Sequence, residues 1–284
     1  MSFPQTRQTL IYRLANEASE RDWHRFLNDY WQPVCRFAQH RAGLNVDDAE
    51  DVAAEVFQAI LQNQLLCRWA SDRCAKLRTM LCTVVRHVLG NRARVQQGRK
   101  KLLKENAYEL REGTDWPTIK KPDAPEEQID LFYAAWVEGI LVQAVETMMR
   151  EYHQTGKGDY FRVLYGRICE GMSMPEISRT LKIDMTRAEN YFKAAKKRLA
   201  AILEEQVRKH VDQYCEGEQA EEEFQAEWQA MGEFLTGNGG LETVITRAYE
   251  TFDPVEAMQR QNRAVTGMMS KITGMLPRVP DKPS

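Results

Sequence analysis

Residues 173–199 read SMPEISRTLKIDMTRAENYFKAAKKRL. Ser173 is placed to cap a helix, with Pro175 near the first position and Glu176 three residues on, the order of a capping box. Leu181 to Asp184 breaks the helical spacing and reads as a tight turn, and Asp184 or Thr186 caps the segment that follows. That segment carries Ala188, Phe192, Ala195, Leu199 and Ile202 at steps of three and four, so they share one inward face. Its other faces hold Thr186, Arg187, Asn190, Tyr191, Lys193, Lys196, Lys197 and Arg198. Upstream, Gly171 ends a helix around Phe161–Glu170. Short helix, turn and longer basic helix outline a helix-turn-helix, whose second helix enters a DNA groove. Arg and Asn read base edges, and Lys and Arg neutralise phosphates. A helical hairpin with a solvated basic face is the plainer alternative.

The whole chain has 284 residues, enough for two compact domains and an appendage. It is 43% hydrophobic, lacks any run of 18 apolar residues, and shows no charged n-region followed by an apolar h-region. Neither a membrane span nor a signal peptide is expected, and the expected compartment is the cytoplasm. Six cysteines are scattered without a CxxC pair, so they read as incidental thiols rather than disulfides or a zinc site. The net charge of −2 conceals segregation. From Arg73 to Lys104 there is no acidic residue, while Glu204 to Glu233 is strongly acidic around Glu221, Glu222 and Glu223. A polyanion meets the local field, so the near-neutral total does not argue against a nucleic-acid partner. Strand signals are almost absent, and the expected fold class is all-α.

A second motif lies far upstream at 47–57, DDAEDVAAEVF. Asp47 or Asp48 is positioned to cap a helix with Ala49, Val52, Ala53, Val56, Phe57, Ile60 and Leu61 on its apolar face. Asp48, Asp51, Glu55, Gln58 and Gln62 then form a polar ridge. Before it, Trp23, Phe26, Leu27, Tyr30, Trp31, Val34, Phe37 and Ala38 form a stripe that Pro33 is expected to end or kink. Residues 63–76 read as a loop with Trp69 between Arg68 and Arg73. Leu77 to Leu89 restores helical spacing and runs into the basic stretch. Gly113, Pro117, Pro122 and Pro125 mark 105–127 as a linker, after which helical spacing resumes from Leu131. Beyond about 206 comes an acidic helix with Phe224, Trp228, Met231 and Leu235, a break at 237–240, a helix over 241–252 and a Met- and Pro-rich tail.

These motifs together resemble the sigma-70 family of RNA polymerase sigma factors, of the small extracytoplasmic-function type, over about 9–205. Asp48 to Phe57 is similar to the family's DAEDvvQEvF helix, except that Ala54 stands where Gln is common. Trp69 to Leu81 resembles its F-D-x-x-R-x-x-F-R-x-W-L segment, with Leu77 and Met80 where aromatics are usual. Gly171 to Glu189 resembles G-x-S-y-x-E-I-A-x-x-L-x-I-S-x-x-T-V-K, with Lys182 where Gly is frequent and Glu189 where a basic residue is frequent.

The resemblance implies two helical domains, sigma domain 2 over 9–104 and the helix-turn-helix domain 4 over 131–205, joined by a linker over 105–130. An acidic helical extension follows over 206–284. It implies that Asp48, Asp51, Glu55 and Gln58 meet a basic surface on the clamp helices of core RNA polymerase, with domain 4 reaching its flap. Arg68, Trp69, Arg73, Lys76, Arg78 and Arg86 become candidates for −10 recognition and melting, where cations track a strand and a ring stacks on a base. Thr186, Arg187, Asn190, Tyr191, Lys193 and Lys197 become candidates for −35 recognition. Trp69 as a core residue is an equally good reading, and so is a solvated ridge for the acidic face taken alone. The partners implied are core RNA polymerase and promoter DNA, with room for an anti-sigma factor or for self-inhibition by the acidic extension covering the basic DNA-binding surfaces. A helical brace packed on domain 4 is the plainer role for that extension.

No catalytic residue, metal or cofactor is expected. A helix-turn-helix regulator that never touches polymerase is the alternative. An enzyme acting on nucleic acid through a carboxylate-bound metal has only the acidic helix in its favour.

Overall fold

The computed structural model of the chain describes residues 9–16, 19–71, 76–105, 125–250 and 254–275. Among them every regular element is an α-helix. No helix is long and apolar enough to cross a membrane among the described residues. The chain divides into two compact units, residues 1–135 with 260–284, and residues 136–259.

The first unit is built on α1 (Leu10–Asn16), α2 (Glu20–Ala42), α3 (Val46–Gln62), α4 (Leu65–Ser71) and α5 (Leu77–Glu105). Ser19 caps α2 by accepting from the Asp22 amide, and Gly43 closes it in the left-handed region at φ 62°, donating to the Gln39 carbonyl. Of the two outcomes expected at Pro33, an end or a kink, the end does not occur: α2 continues through it. Pro33 is itself buried, beside buried Trp31, Val34 and Phe37, and that packing outweighs the lost backbone hydrogen bond. The α2 stripe meets α3 through Phe57, whose ring stacks on Trp31 at 5.5 Å and meets Phe26 edge-on. Residues 63–71, expected in a loop, instead contain α4, where Leu65, Leu66 and Trp69 are buried. On α5, Leu77, Met80, Leu81, Val84, Val85 and Val88 face the core. The start of α6 (Glu126–Gln154) closes this unit, with Phe132 edge-on to Phe37 at 5.3 Å. Residues 126–130, assigned above to the linker, are the first turns of that helix. Trp116, Pro117 and Pro122 lie outside the described residues, as do the side chains of Arg99, Lys100, Lys101 and Lys104.

The second unit holds the remainder of α6 with α7 (Gly158–Ile168), α8 (Met174–Leu181), α9 (Met185–Val211), α10 (Glu218–Gly237) and α11 (Gly240–Glu250). The apolar face of α9 does not stop near 205, because Val207 and Val211 extend it and are fully buried. Helices α10 and α11, read above as part of a separate extension, therefore share one compact unit with the helix-turn-helix. Thr246 on α11 donates its hydroxyl to the Ile168 carbonyl at the end of α7, and Arg247 pairs with Glu138 on α6 at 3.2 Å. Helix α12 (Pro254–Met275) completes the chain's described part.

Candidate functional site

The α8–α9 pair is held by local chemistry. The Glu176 carboxylate accepts from the Ser173 amide at 2.8 Å and from its hydroxyl at 2.6 Å, and these bonds lower the Glu176 pKa. At the turn Lys182 is left-handed at φ 54°, Ile183 donates its amide to the Ser178 carbonyl, and Ser178 donates its hydroxyl back to Ile183 at 2.6 Å. Asp184 caps α9 by accepting from the Arg187 amide at 2.8 Å. At the α7–α8 contact a β-carbon on Gly166 would lie at ordinary contact distance, 3.4 Å from the Met172 sulfur and 3.5 Å from Ile177. An open groove of about 200 Å³ runs beside this contact, lined by Phe161, Tyr165, Met172, Ile177 and Leu181 among others.

With its inner face buried through Ala188, Ala195 and Leu199, α9 exposes Thr186, Arg187, Asn190, Lys193 and Lys197. They follow at steps of one, three, three and four, so one face carries three cations and an amide. Tyr191 stands apart from them: it is half-buried and stacks on Tyr160 of α7. Arg198 is also turned away, bound through both guanidinium edges to Glu151 at 2.8 and 2.9 Å and to Glu205 at 3.2 Å. Lys196 pairs with Glu242 on α11 at 3.1 Å, and Arg208 with Glu221 on α10 at 2.7 Å. Helices α10 and α11 thus engage other faces of α9 and leave Arg187, Asn190, Lys193 and Lys197 open.

In the first unit, Asn45 and not Asp47 or Asp48 caps α3, its side-chain oxygen accepting from the Asp48 amide at 2.8 Å. Asp47 and Asp48 occupy the first turn, where negative charge complements the helix dipole. Asp48, Asp51 and Glu55 are exposed and Gln58 half-exposed along one ridge. Arg92 of α5 grips Glu55 with two hydrogen bonds at 2.8 and 3.0 Å, and this pairing raises the arginine pKa with help from Asp51 and Asp48. Asp48 and Asp51 form no salt bridge among the described residues.

The −10 candidates are less uniform. Arg68 is exposed, while Trp69 is only 8% exposed and packs as a core residue of α4. Lys76 and Arg86 are half-buried, and Arg78 lies 4.6 Å over the Tyr133 ring, a cation–π contact that sequence spacing does not reveal. Arg73 lies outside the described residues. Burial drives the Cys82 thiol pKa up to about 12, making it an inert thiol. Among the described residues no three His, Cys, Asp or Glu side chains are grouped to hold a metal ion.

No protein-family model, curated protein or solved structure matches this chain.

Proposed function

We propose that this protein is a sigma factor: it binds core RNA polymerase through the α3 ridge, directs it to a promoter through α9, and takes part in melting. The observation that carries the reading is the pairing of two unlike exposed surfaces in two compact units, the acidic Asp48–Asp51–Glu55 ridge and the Arg187–Asn190–Lys193–Lys197 face. A carboxylate ridge suits a basic protein surface, where opposite charge steers docking and sets register. An Arg and an Asn flanked by lysines suit base edges flanked by phosphates. The apolar groove beside α7 and α8 suits a polymerase element such as the flap. Arg68, Lys76 and Arg86, with Arg73 beyond the described residues, would track the opened strand, whereas Trp69 stacks on a base only if α4 rearranges. The reading assigns no catalytic residue, cofactor, metal or membrane partner, and it places the protein in the cytoplasm.

The burial of Trp69 favours the second reading, a helix-turn-helix regulator that binds DNA without polymerase. Binding of the purified chain to sigma-free core RNA polymerase decides between them. Tight binding, lost in Asp48→Lys with Asp51→Lys while the helical fold is kept, is expected. Absence of binding both by the full chain and by a form truncated before α12 overturns the sigma reading.

A further inference from the structure

Helix α12 carries a contact with the acidic helix that the proposed function does not use. From Arg260 onward α12 belongs to the first unit, and Val265, Met268 and Ile272, at steps of three and four, are buried along one side of it. Arg260 lays its guanidinium across α3. Its Nε lies 2.9 Å from one oxygen of Glu50, and an Nη lies 3.1 Å from the other and also bonds Asp47. Those bonds raise the Arg260 pKa, Glu50 contributing most. Next to it, Gln261 donates its side-chain amide to the Asn28 carbonyl of α2 at 2.8 Å.

The position of this pair matters because Asp47 and Glu50 each precede a ridge carboxylate, Asp48 and Asp51, by one residue. The five carboxylates of α3 are Asp47, Asp48, Glu50, Asp51 and Glu55, and Arg260 neutralises two of them. It does so with the forked, two-point geometry that an arginine of a protein partner would use. A fixed cation at the rim also repels a basic surface approaching Asp48 and Asp51.

We infer that α12 is a built-in competitor for the basic partner of α3. Docked, it occupies the Asp47–Glu50 edge and weakens the ridge. Released, it frees Asp47 and Glu50 to join Asp48 and Asp51 in an acidic surface of four carboxylates, Glu55 staying paired with Arg92. The inference rests on the reading that α3 docks a basic protein surface. It differs from masking of the DNA face, since the α9 recognition residues stay exposed. A docked state favoured over the released one raises the apparent dissociation constant by that population ratio.

The test uses the full chain and sigma-free core RNA polymerase. Arg260→Ala is expected to bind up to about fivefold tighter than the wild type, as befits losing one exposed two-point ion pair. It is also expected to lose amide protection over residues 261–272 in hydrogen exchange. An Asn28→Cys, Gln261→Cys pair, oxidised to tether α12, is expected to bind more weakly and to recover on reduction. Should Arg260→Ala fail to fold, the tethered pair decides alone. Equal binding by the wild type, the alanine variant and the tethered form overturns the inference and leaves the sigma reading standing. Failure of every form to bind, the one truncated before α12 included, overturns the sigma reading and the inference with it.

Discussion

The rings of Tyr160 on α7 and Tyr191 on α9 stack with centroids 4.0 Å apart and planes 24° from parallel. Tyr152 of α6 extends the group, its ring 5.8 Å from Tyr160. One turn of α9 thus divides its labour: Tyr191 anchors the helix while Asn190 and Lys193 stay exposed. Aromatic pairs contribute about 0.5–1.5 kcal/mol beyond area burial. Tyr191→Ala should therefore lower stability by about 1–3 kcal/mol, measured as a urea midpoint. Asn190→Ala should leave that midpoint within about 0.5 kcal/mol, the range of surface substitutions.

On the proposed reading, Arg187→Ala with Lys193→Ala tests the exposed cationic face of α9 as a DNA-binding surface. Each lost phosphate contact should reduce the slope of log affinity against log salt by about one. The double variant should bind promoter DNA more weakly with a flatter salt dependence, while polymerase binding is retained. An unchanged slope in a filter or anisotropy titration would remove these two side chains from the interface.

Lys182 holds a left-handed conformation at φ 54° and ψ 42° between α8 and α9. A β-carbon makes that region cost about 1–2 kcal/mol, and glycine escapes the cost. Lys182→Gly should raise the melting temperature by a few degrees without changing the DNA affinity by more than the loss of one exposed charge allows. A fall in melting temperature would show that the lysine side chain holds the turn.

Gly166 tests how tightly α7 and α8 must approach. Alanine would meet Met172 and Ile177 at 3.4–3.5 Å, ordinary contact distances, and removes the helical penalty of glycine. Gly166→Ala should be neutral or stabilising by up to about 1 kcal/mol. Gly166→Leu should force α8 away, destabilise the unit by about 1–3 kcal/mol and weaken DNA binding with it. Denaturation curves beside binding isotherms check both.

The Glu151–Arg198 pair predicts an acid limb. Hydrogen bonding to Arg198 lowers the Glu151 pKa below its ordinary value of 4.5. A carboxylate lowered on folding contributes stability that is fully present above that ordinary value and is lost as pH falls through the folded one. In urea midpoints measured from pH 6 downward, Arg198→Met should flatten the decline below about 4.5 relative to the wild type. An equally steep decline in the variant would show that other carboxylates carry the limb.

The faces of the longer helices were legible without coordinates, because a helical face is a local pattern of three and four, but the cap of α3 was not: Asn45 stands where Asp47 or Asp48 was expected. The stripes of α2, α3, α5 and α9, the Asp184 cap and the Glu176 capping residue all read correctly on that basis. Helix α4 escaped notice because seven residues hold too few turns to show a period, and α2 does not end at Pro33 because its neighbours there are buried. The acidic ridge was legible as a row of charges, but its partners were not: Arg92 comes from α5 and Arg260 from α12.

By itself the sequence pointed to an all-α fold, as every regular element among the described residues is, with an acidic helix early, a basic helix-turn-helix late and an acidic stretch behind it. Only the tertiary structure decided which charges remain open and which are spent on the fold. Arg198 reaches Glu151 across 47 residues and Arg260 reaches Glu50 across 210, whereas Arg187 and Lys193 reach outward. The physical reason is range: helical periodicity is set by neighbours within one or two turns, but a salt bridge needs only that two long side chains end within a few ångströms, whatever the chain does between them.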